Sequence, residues 1–171
     1  MGPLTRLTSG NNFFEHFEVG QTLRHARGKT VTNLENVNIT NMVMNTAQGH
    51  FNEDFMTRLG GETRKNAPGA RSSHVISYGG VNFSIVLGLS SQDTIENALA
   101  ETGLDKISLK HPIFHGDTIY AYSRVLEKYD SNREDAGFIV FQHWGVNQND
   151  KIIAELQRTA LIKRQSHWGN R

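Results

Sequence analysis

Residues 79–89 read Gly79-Gly80-Val81-Asn82-Phe83-Ser84-Ile85-Val86-Leu87-Gly88-Leu89, the most apolar stretch of the 171-residue chain. Its length suits a buried helix, and the flanking glycines permit close packing. A buried strand is the rival reading, because a continuous apolar run carries no period that separates the two. The flanks are clearer. C-terminal to this stretch the hydrophobic period becomes two. Ile107, Leu109, His111 and Ile113 share one strand face, and His115-Gly116-Asp117 is a tight turn. Ile119, Ala121, Ser123 and Val125 alternate in the next strand, and Phe138, Val140, Gln142, Trp144 and Val146 in a third. Asn147-Gln148-Asn149-Asp150 reads as a hairpin turn. Ile152, Ala154, Leu156, Ala160 and Ile162 line a last strand, which Arg158 interrupts.

N-terminal to the stretch, the cluster Phe13-Phe14-Glu15-His16-Phe17 reads as a lead-in that packs before a strand over Gln21 to Val31. Thr32 and Glu35 fit a capping box, with Thr32 at the N-cap. Leu34, Val37, Ile39, Met42, Val43 and Met44 then predict a helix with a wide apolar face, ending near Asn45. A second short helix runs from His50 to about Leu59 and stops at Gly60-Gly61. Helices grouped in the middle and strands grouped after them imply an α+β fold rather than a parallel βαβ one.

The length suits one domain, over residues 13–164, between polar tails at 1–12 and 165–171. Lys+Arg is 18 and Asp+Glu is 17, a net charge of +1, without the basic excess of a nucleic-acid binder. The absence of cysteine excludes disulfides, thiolate metal sites and cysteine nucleophiles. No apolar run approaches a membrane span and the N-terminus has no apolar signal core, so the expected location is cytoplasmic with no membrane partner. Phosphate-loop, dinucleotide, serine-hydrolase and zinc-protease motifs are all missing. His111 and His115 are four apart, but Pro112 and the strand pattern keep them off a common helix face, so no metal site is expected. His25 and His143, on strands, read as structural.

The remaining signal is Asn45-Thr46-Ala47-Gln48-Gly49-His50-Phe51-Asn52, which joins two helices. Such a junction gathers polar side chains and one imidazole at helix ends, where backbone groups and the dipole can act on a ligand. Asn45 can equally be a helix C-cap. Arg64, Lys65 and Arg71, in the polar loop over 61–72, are either a solvated charge cluster or a grip for phosphates or an acyl carboxylate.

Three segments resemble the MaoC-type 2-enoyl-CoA hydratases (dehydratases) of the hot-dog fold. They are the entry Phe14-Glu15-His16-Phe17-Glu18-Val19-Gly20-Gln21, the strand–turn–strand Leu109-Lys110-His111-Pro112-Ile113-Phe114-His115-Gly116-Asp117-Thr118-Ile119, and residues 45–50. The resemblance covers about residues 13 to 164. The resemblance implies a long helix wrapped by an antiparallel sheet, a homodimer or an assembly of dimers, and an acyl-CoA thioester as substrate with no further cofactor or metal. It implies reversible hydration of a 2-enoyl-CoA and is nearest to the mesaconyl-CoA, branched-dicarboxylate sort. His50 matches the family's catalytic histidine. Asn45 stands where the family has Asp, and Ala47-Gln48 where it has Asn-Pro.

An amide cannot take a proton at neutral pH. Either His50 is therefore the sole acid/base with Asn45 orienting water, or the site only binds a thioester. A retained, variant site is the reading adopted, with Gln48, Asn52, Tyr78 and Arg71 contacting substrate. The family's oxyanion donor, a backbone N–H at the head of the central helix, maps onto Gly79. A hot-dog thioesterase is a further alternative, although no acidic residue lies between Gly79 and Ser91.

Overall fold

The computed structural model of the chain describes residues 12–60 and 74–169. Five strands, β1 (Thr22–Thr30), β2 (Ala98–Leu109), β3 (Thr118–Asp130), β4 (Ala136–Asn147) and β5 (Ile152–Lys163), form one antiparallel sheet in the order β1-β3-β4-β5-β2. The helices are α1 (Asn33–Met42), α2 (Glu53–Gly60), α3 (Gly79–Thr94) and a terminal turn α4 (Gln165–Trp168). The apolar stretch is thus a helix. It packs on β1, β3, β4 and β5 in the α+β arrangement expected. Its buried positions are Val81, Asn82, Val86, Ser90, Asp93 and Thr94, a helical spacing. Four of those six positions are polar or ionisable, which is why hydropathy alone does not reveal the stripe.

Close approach of helix to sheet depends on a glycine of the sheet. A Cβ at Gly145 of β4 would stand 2.4 Å from Val86 Cγ2, whereas one at Gly88 would meet nothing within 4 Å. The aromatic lead-in packs as expected. Phe14 and Phe17 are buried, and the Phe14 ring occupies the space that a side chain at Gly137 would fill.

Three expectations are overturned. First, no apolar residue of α1 is fully buried: Leu34 is 71% and Met42 75% exposed, Val37 and Ile39 are half-buried, and Asn36 and Thr40 are the buried positions. The Thr32–Glu35 capping box is present and sets the helix start, but the inward stripe does not follow hydropathy: Asn36 is placed by hydrogen bonds at the site, and the buried Thr40 hydroxyl has no partner among the described residues. Second, the inward face of β4 carries Ile139, Phe141, His143 and Gly145; Phe138, Val140, Gln142, Trp144 and Val146 lie half-buried on the other face. Both sets alternate, and only the partner helix decides between them. Third, β2 ends at Leu109, so His111 and Ile113 are not on it, and it begins at Ala98 in a polar segment. Ile107 and Leu109 are exposed on β2, which is an edge strand.

The core has two apolar clusters. One centres on Phe17, Val125, Ile139 and Phe141, the other on Val86, Ile119, Ile153 and Leu156. Between them, one inward position on each of β1, β3, β4 and β5 is polar: His25, Ser123, His143 and Arg158, all buried. The Asp93 carboxylate on α3 accepts from His25 Nδ1 at 2.6 Å, and Ser123 Oγ lies 2.6 Å from both His25 Nε2 and His143 Nδ1. Asp93 can only accept. With neutral imidazoles the row is therefore directional: His143 donates to Ser123, Ser123 to His25, and His25 to Asp93. His25 and His143 are structural, as expected, and Arg158 is the inward residue that interrupts β5.

Candidate active site

The residues singled out by sequence are brought to the head of α3 by a reversal after α1. Met44 takes a left-handed backbone (φ 58°), and Asn45 N–H donates to Thr40 O at 3.0 Å. The left-handed residue expected at Asn45 is thus its neighbour. Asn45 Oδ1 instead accepts from Ala47 N at 2.9 Å. One 3-10 turn over Gln48–His50 follows. Asn52 caps α2 by accepting from Phe55 N at 2.9 Å, and its amide donates to Gln48 Oε1 at 2.6 Å. The predicted helix from His50 is therefore a 3-10 turn followed by α2 from Glu53.

His50 Nδ1 lies 2.9 Å from Ile76 O, and Ile76 N–H donates back to Gly49 O at 3.0 Å. A carbonyl only accepts, so Nδ1 carries the proton and Nε2 holds the free lone pair. The Tyr78 ring packs edge-on against the imidazole, with centroids 5.5 Å apart. Ser77 N–H donates to Ile113 O at 2.7 Å, which ties this segment to the chain leaving β2.

Asn36 locks the arrangement. It is fully buried, and its amide donates to His50 O at 2.7 Å and lies 3.0 Å from His115 Nε2, while its Oδ1 accepts from Tyr78 N at 2.8 Å. One side chain thus joins the histidine loop, the head of α3 and the turn before β3. Burial lowers the His115 pKa and Glu53 partly opposes this, which favours the neutral ring that accepts from Asn36.

A cavity of about 310 Å³ opens between these segments, within the usual range for small-molecule sites. His50, Ser77, Gly79 and Asn82 line it, with Leu109, Lys110 and His111 on the side toward β2. Gly79 is the first residue of α3, so its N–H has no intrahelical acceptor. A Cβ there would sit 2.2 Å from Leu109 Cδ1, so a side chain at this position would have to displace the Leu109 side chain.

Of the residues marked from sequence, His50 and Gly79 therefore meet at one cavity, with Tyr78 beside them. Asn45, Gln48 and Asn52 do not line it. Their side chains hold the loop instead, and Asn45 makes no contact that would orient water for His50. Arg71, Arg64 and Lys65 lie outside the described residues. Asn36, Ser77 and Asn82 belong to no motif in the sequence, and His111, read there as a strand residue, lines the cavity. The one signal for Asn36 and Asn82 is their place on the inward stripes of their helices. Among the described residues, no group of three or more His, Asp or Glu could hold a metal ion.

The architecture is that of a hot-dog domain. A double hot-dog protein from Mycobacterium tuberculosis superposes with a TM-score of 0.75 at 16% identity, over 98% of this chain and 46% of that one. The family model for mesaconyl-CoA hydratase matches residues 11–164, and the chain belongs to that family. The mesaconyl-CoA hydratase of Haloarcula marismortui is 28% identical over 97% of this chain and 46% of its own length. The β-methylmalyl-CoA dehydratase of Chloroflexus aurantiacus is 33% identical over 70% of this chain and 31% of its own. The chain thus spans about half the length, or less, of the curated relatives it matches.

Proposed function

We propose that this domain catalyses the reversible addition of water across the double bond of a 2-enoyl-CoA thioester, of the branched or dicarboxylic kind that its relatives' names indicate. The observation that carries the reading is His50. Its Nδ1 proton is held by Ile76 O, which leaves Nε2 to act, and His50 lines the same cavity as Gly79, whose N–H has no intrahelical acceptor.

In the hydration direction, Nε2 takes a proton from water as the hydroxyl adds to C3. The C2–C3 π electrons move onto the thioester oxygen, where the Gly79 N–H and the dipole of α3 meet the developing charge. The imidazolium then returns its proton to C2, leaving a 3-hydroxyacyl-CoA and a neutral histidine. Both the proton and the hydroxyl come from water, so this step draws on no cofactor. One imidazole serves as base and then acid, a role worth roughly 10²–10⁴-fold in rate. Asn45 need not take part, which accommodates the loss of the family's Asp.

A second hot-dog unit belongs to this reading, supplied by another copy of the chain. It is supported by the unpaired outer edge of β2, by the exposed Leu104, Ile107 and Leu109 on that strand, and by relatives about twice as long. A cytoplasmic location goes with the same reading; among the described residues, no helix is long and apolar enough to cross a membrane.

The test is loss of enoyl-thioester absorbance with mesaconyl-, crotonyl- and longer trans-2-enoyl-CoA, with free thiol followed in parallel. Absorbance loss without thiol release, abolished by His50→Ala, is the expected result. Thiol release would assign a thioesterase instead. Binding without either change would assign a carrier or sensor module.

A further inference from the structure

We propose that Asn82, oriented by Ser77, is the residue with which this site recognises an acyl group bearing a second carboxylate, by donating to that carboxylate from its side-chain amide. The proposal rests on the hydratase reading for the position of the thioester, and it assigns a subsite within that cavity.

Asn82 is 4% exposed, yet it lines the cavity. Its hydrogen bonding is only partly used. Oδ1 accepts from Ser77 Oγ at 2.7 Å, and Nδ2 has a single long contact, 3.5 Å, to Ser77 O. The second contact settles which amide atom is which, since a carbonyl oxygen can face only a donor. Ser77 thus holds the amide with its NH₂ group still able to donate, and one N–H has no partner among the described residues. A buried donor left without an acceptor is costly, and beside a plain alkyl chain it stays without one. A carboxylate oxygen completes it.

The placement also fits. Asn82 is three residues beyond Gly79 on α3, and its side chain leans back to Ser77, so its amide stands at the head of the helix, the same end as the Gly79 N–H. In a four-carbon diacid thioester the far carboxylate is three bonds from the thioester carbon. With the thioester oxygen at the Gly79 N–H, the far carboxylate stays at this end of the cavity, within reach of that second donor. The charge balance also matches. The head of α3 favours an anion, and Lys110 and His111 stand on the cavity wall. Lys110 already pairs with Glu155 at 3.2 Å, so its share is diluted and the amide makes the specific contact.

The experiment measures binding with non-reacting thioesters, so that it does not depend on turnover. Titration calorimetry of the full chain with succinyl-CoA and butyryl-CoA compares two saturated four-carbon acyl groups that differ at the far end. The wild type should bind succinyl-CoA about tenfold or more tighter, the size expected for one hydrogen bond to a charged group. Asn82→Leu should remove that preference by weakening succinyl-CoA alone. Asn82→Asp keeps the acceptor for the Ser77 hydroxyl but replaces the donor with charge, and should weaken succinyl-CoA further. Equal affinity for the two ligands in the wild type overturns the proposal, as does equal loss of both in Asn82→Leu with an unchanged melting temperature. If the variants do not fold, Ser77→Ala reports instead: it frees the amide to turn, and an unchanged ligand ratio there overturns the proposal. A succinyl-CoA preference in a protein that hydrates no enoyl-CoA would sink the hydratase reading and leave the subsite standing.

Discussion

His50 and His143 are both held through Nδ1, and there the likeness stops. His143 is 0% exposed in the polar row between the two core clusters; its Nδ1 meets Ser123, and its Nε2 is buried without a partner. Burial, with Arg158 and His25 nearby, pushes its pKa well below the ordinary histidine value. His50 is half-buried, is tied to a backbone carbonyl through Nδ1, and lines a cavity. The buried row resembles a hydrolase triad in residue type, Asp93–His25–Ser123, but no substrate can reach it. Access, rather than residue type or hydrogen bonding, separates a histidine that keeps the sheet in register from one available for proton transfer.

The strongest way to break this contrast is to exchange the effects of two substitutions. His50→Ala should cut hydration a hundredfold or more while leaving stability nearly unchanged. Ser123→Ala strips acceptor and donor from two buried imidazoles and should cost about 1–3 kcal/mol of stability, with activity per folded molecule retained. Urea titration and initial rates on both proteins decide it. If Ser123→Ala abolishes activity in fully folded protein, the buried row is coupled to the site and the contrast fails.

Asn36 lies between the two cases, since it is buried like His143 but acts on the site. Asn36→Ala leaves the Tyr78 N–H and His50 C=O without partners and should lower kcat about tenfold or more by loosening the loop. Because His115 also loses a donor, its titration by NMR should shift upward. Lost stability with an unchanged kcat would return Asn36 to a purely structural role.

A smaller effect comes from pH. The folded-state pKa of His143 lies below its unfolded value of about 6.5, so the unfolded chain takes up the proton first as pH falls. Stability contributed by the neutral ring is present above about pH 6.5 and is lost progressively below it. His115, lowered in the same direction, adds to this. Urea midpoints should fall between pH 7.5 and 5, and His143→Leu should flatten that dependence. An equally steep fall in the variant would assign the acid sensitivity elsewhere.

The smallest effect is expected at the residue that looked most consequential. Asn45→Asp restores the family's carboxylate but keeps the acceptor for Ala47 N–H, away from the cavity. Hydration rates should change by less than about threefold, within the range of an exposed substitution. A large gain would show that the loop brings Asn45 to the substrate in the assembled enzyme.

Much of this was legible in the linear chain because it rests on local chemistry. The Thr32–Glu35 box, the Asn147–Asp150 hairpin and the period-two strands follow from backbone geometry within a few residues. His50 and Gly79 could be placed by resemblance because each lies in a short motif. Asn82 and Asn36 were not legible as site residues. Their meaning depends on Ser77 and on His50, Tyr78 and His115, and those partners are up to 79 residues away.

The sequence by itself determined an α+β domain with a histidine at the junction of two helices, since periodicity and capping are local properties, and the resemblance of three short segments added the hot-dog fold and the hydratase family. Tertiary structure alone decided which alternating face of β4 is the core, why α1 fully buries Asn36 and Thr40 and none of its apolar residues, and which polar residues line the cavity. Each of those choices is set by which surfaces pack together, and a residue's own neighbours along the chain carry no record of that.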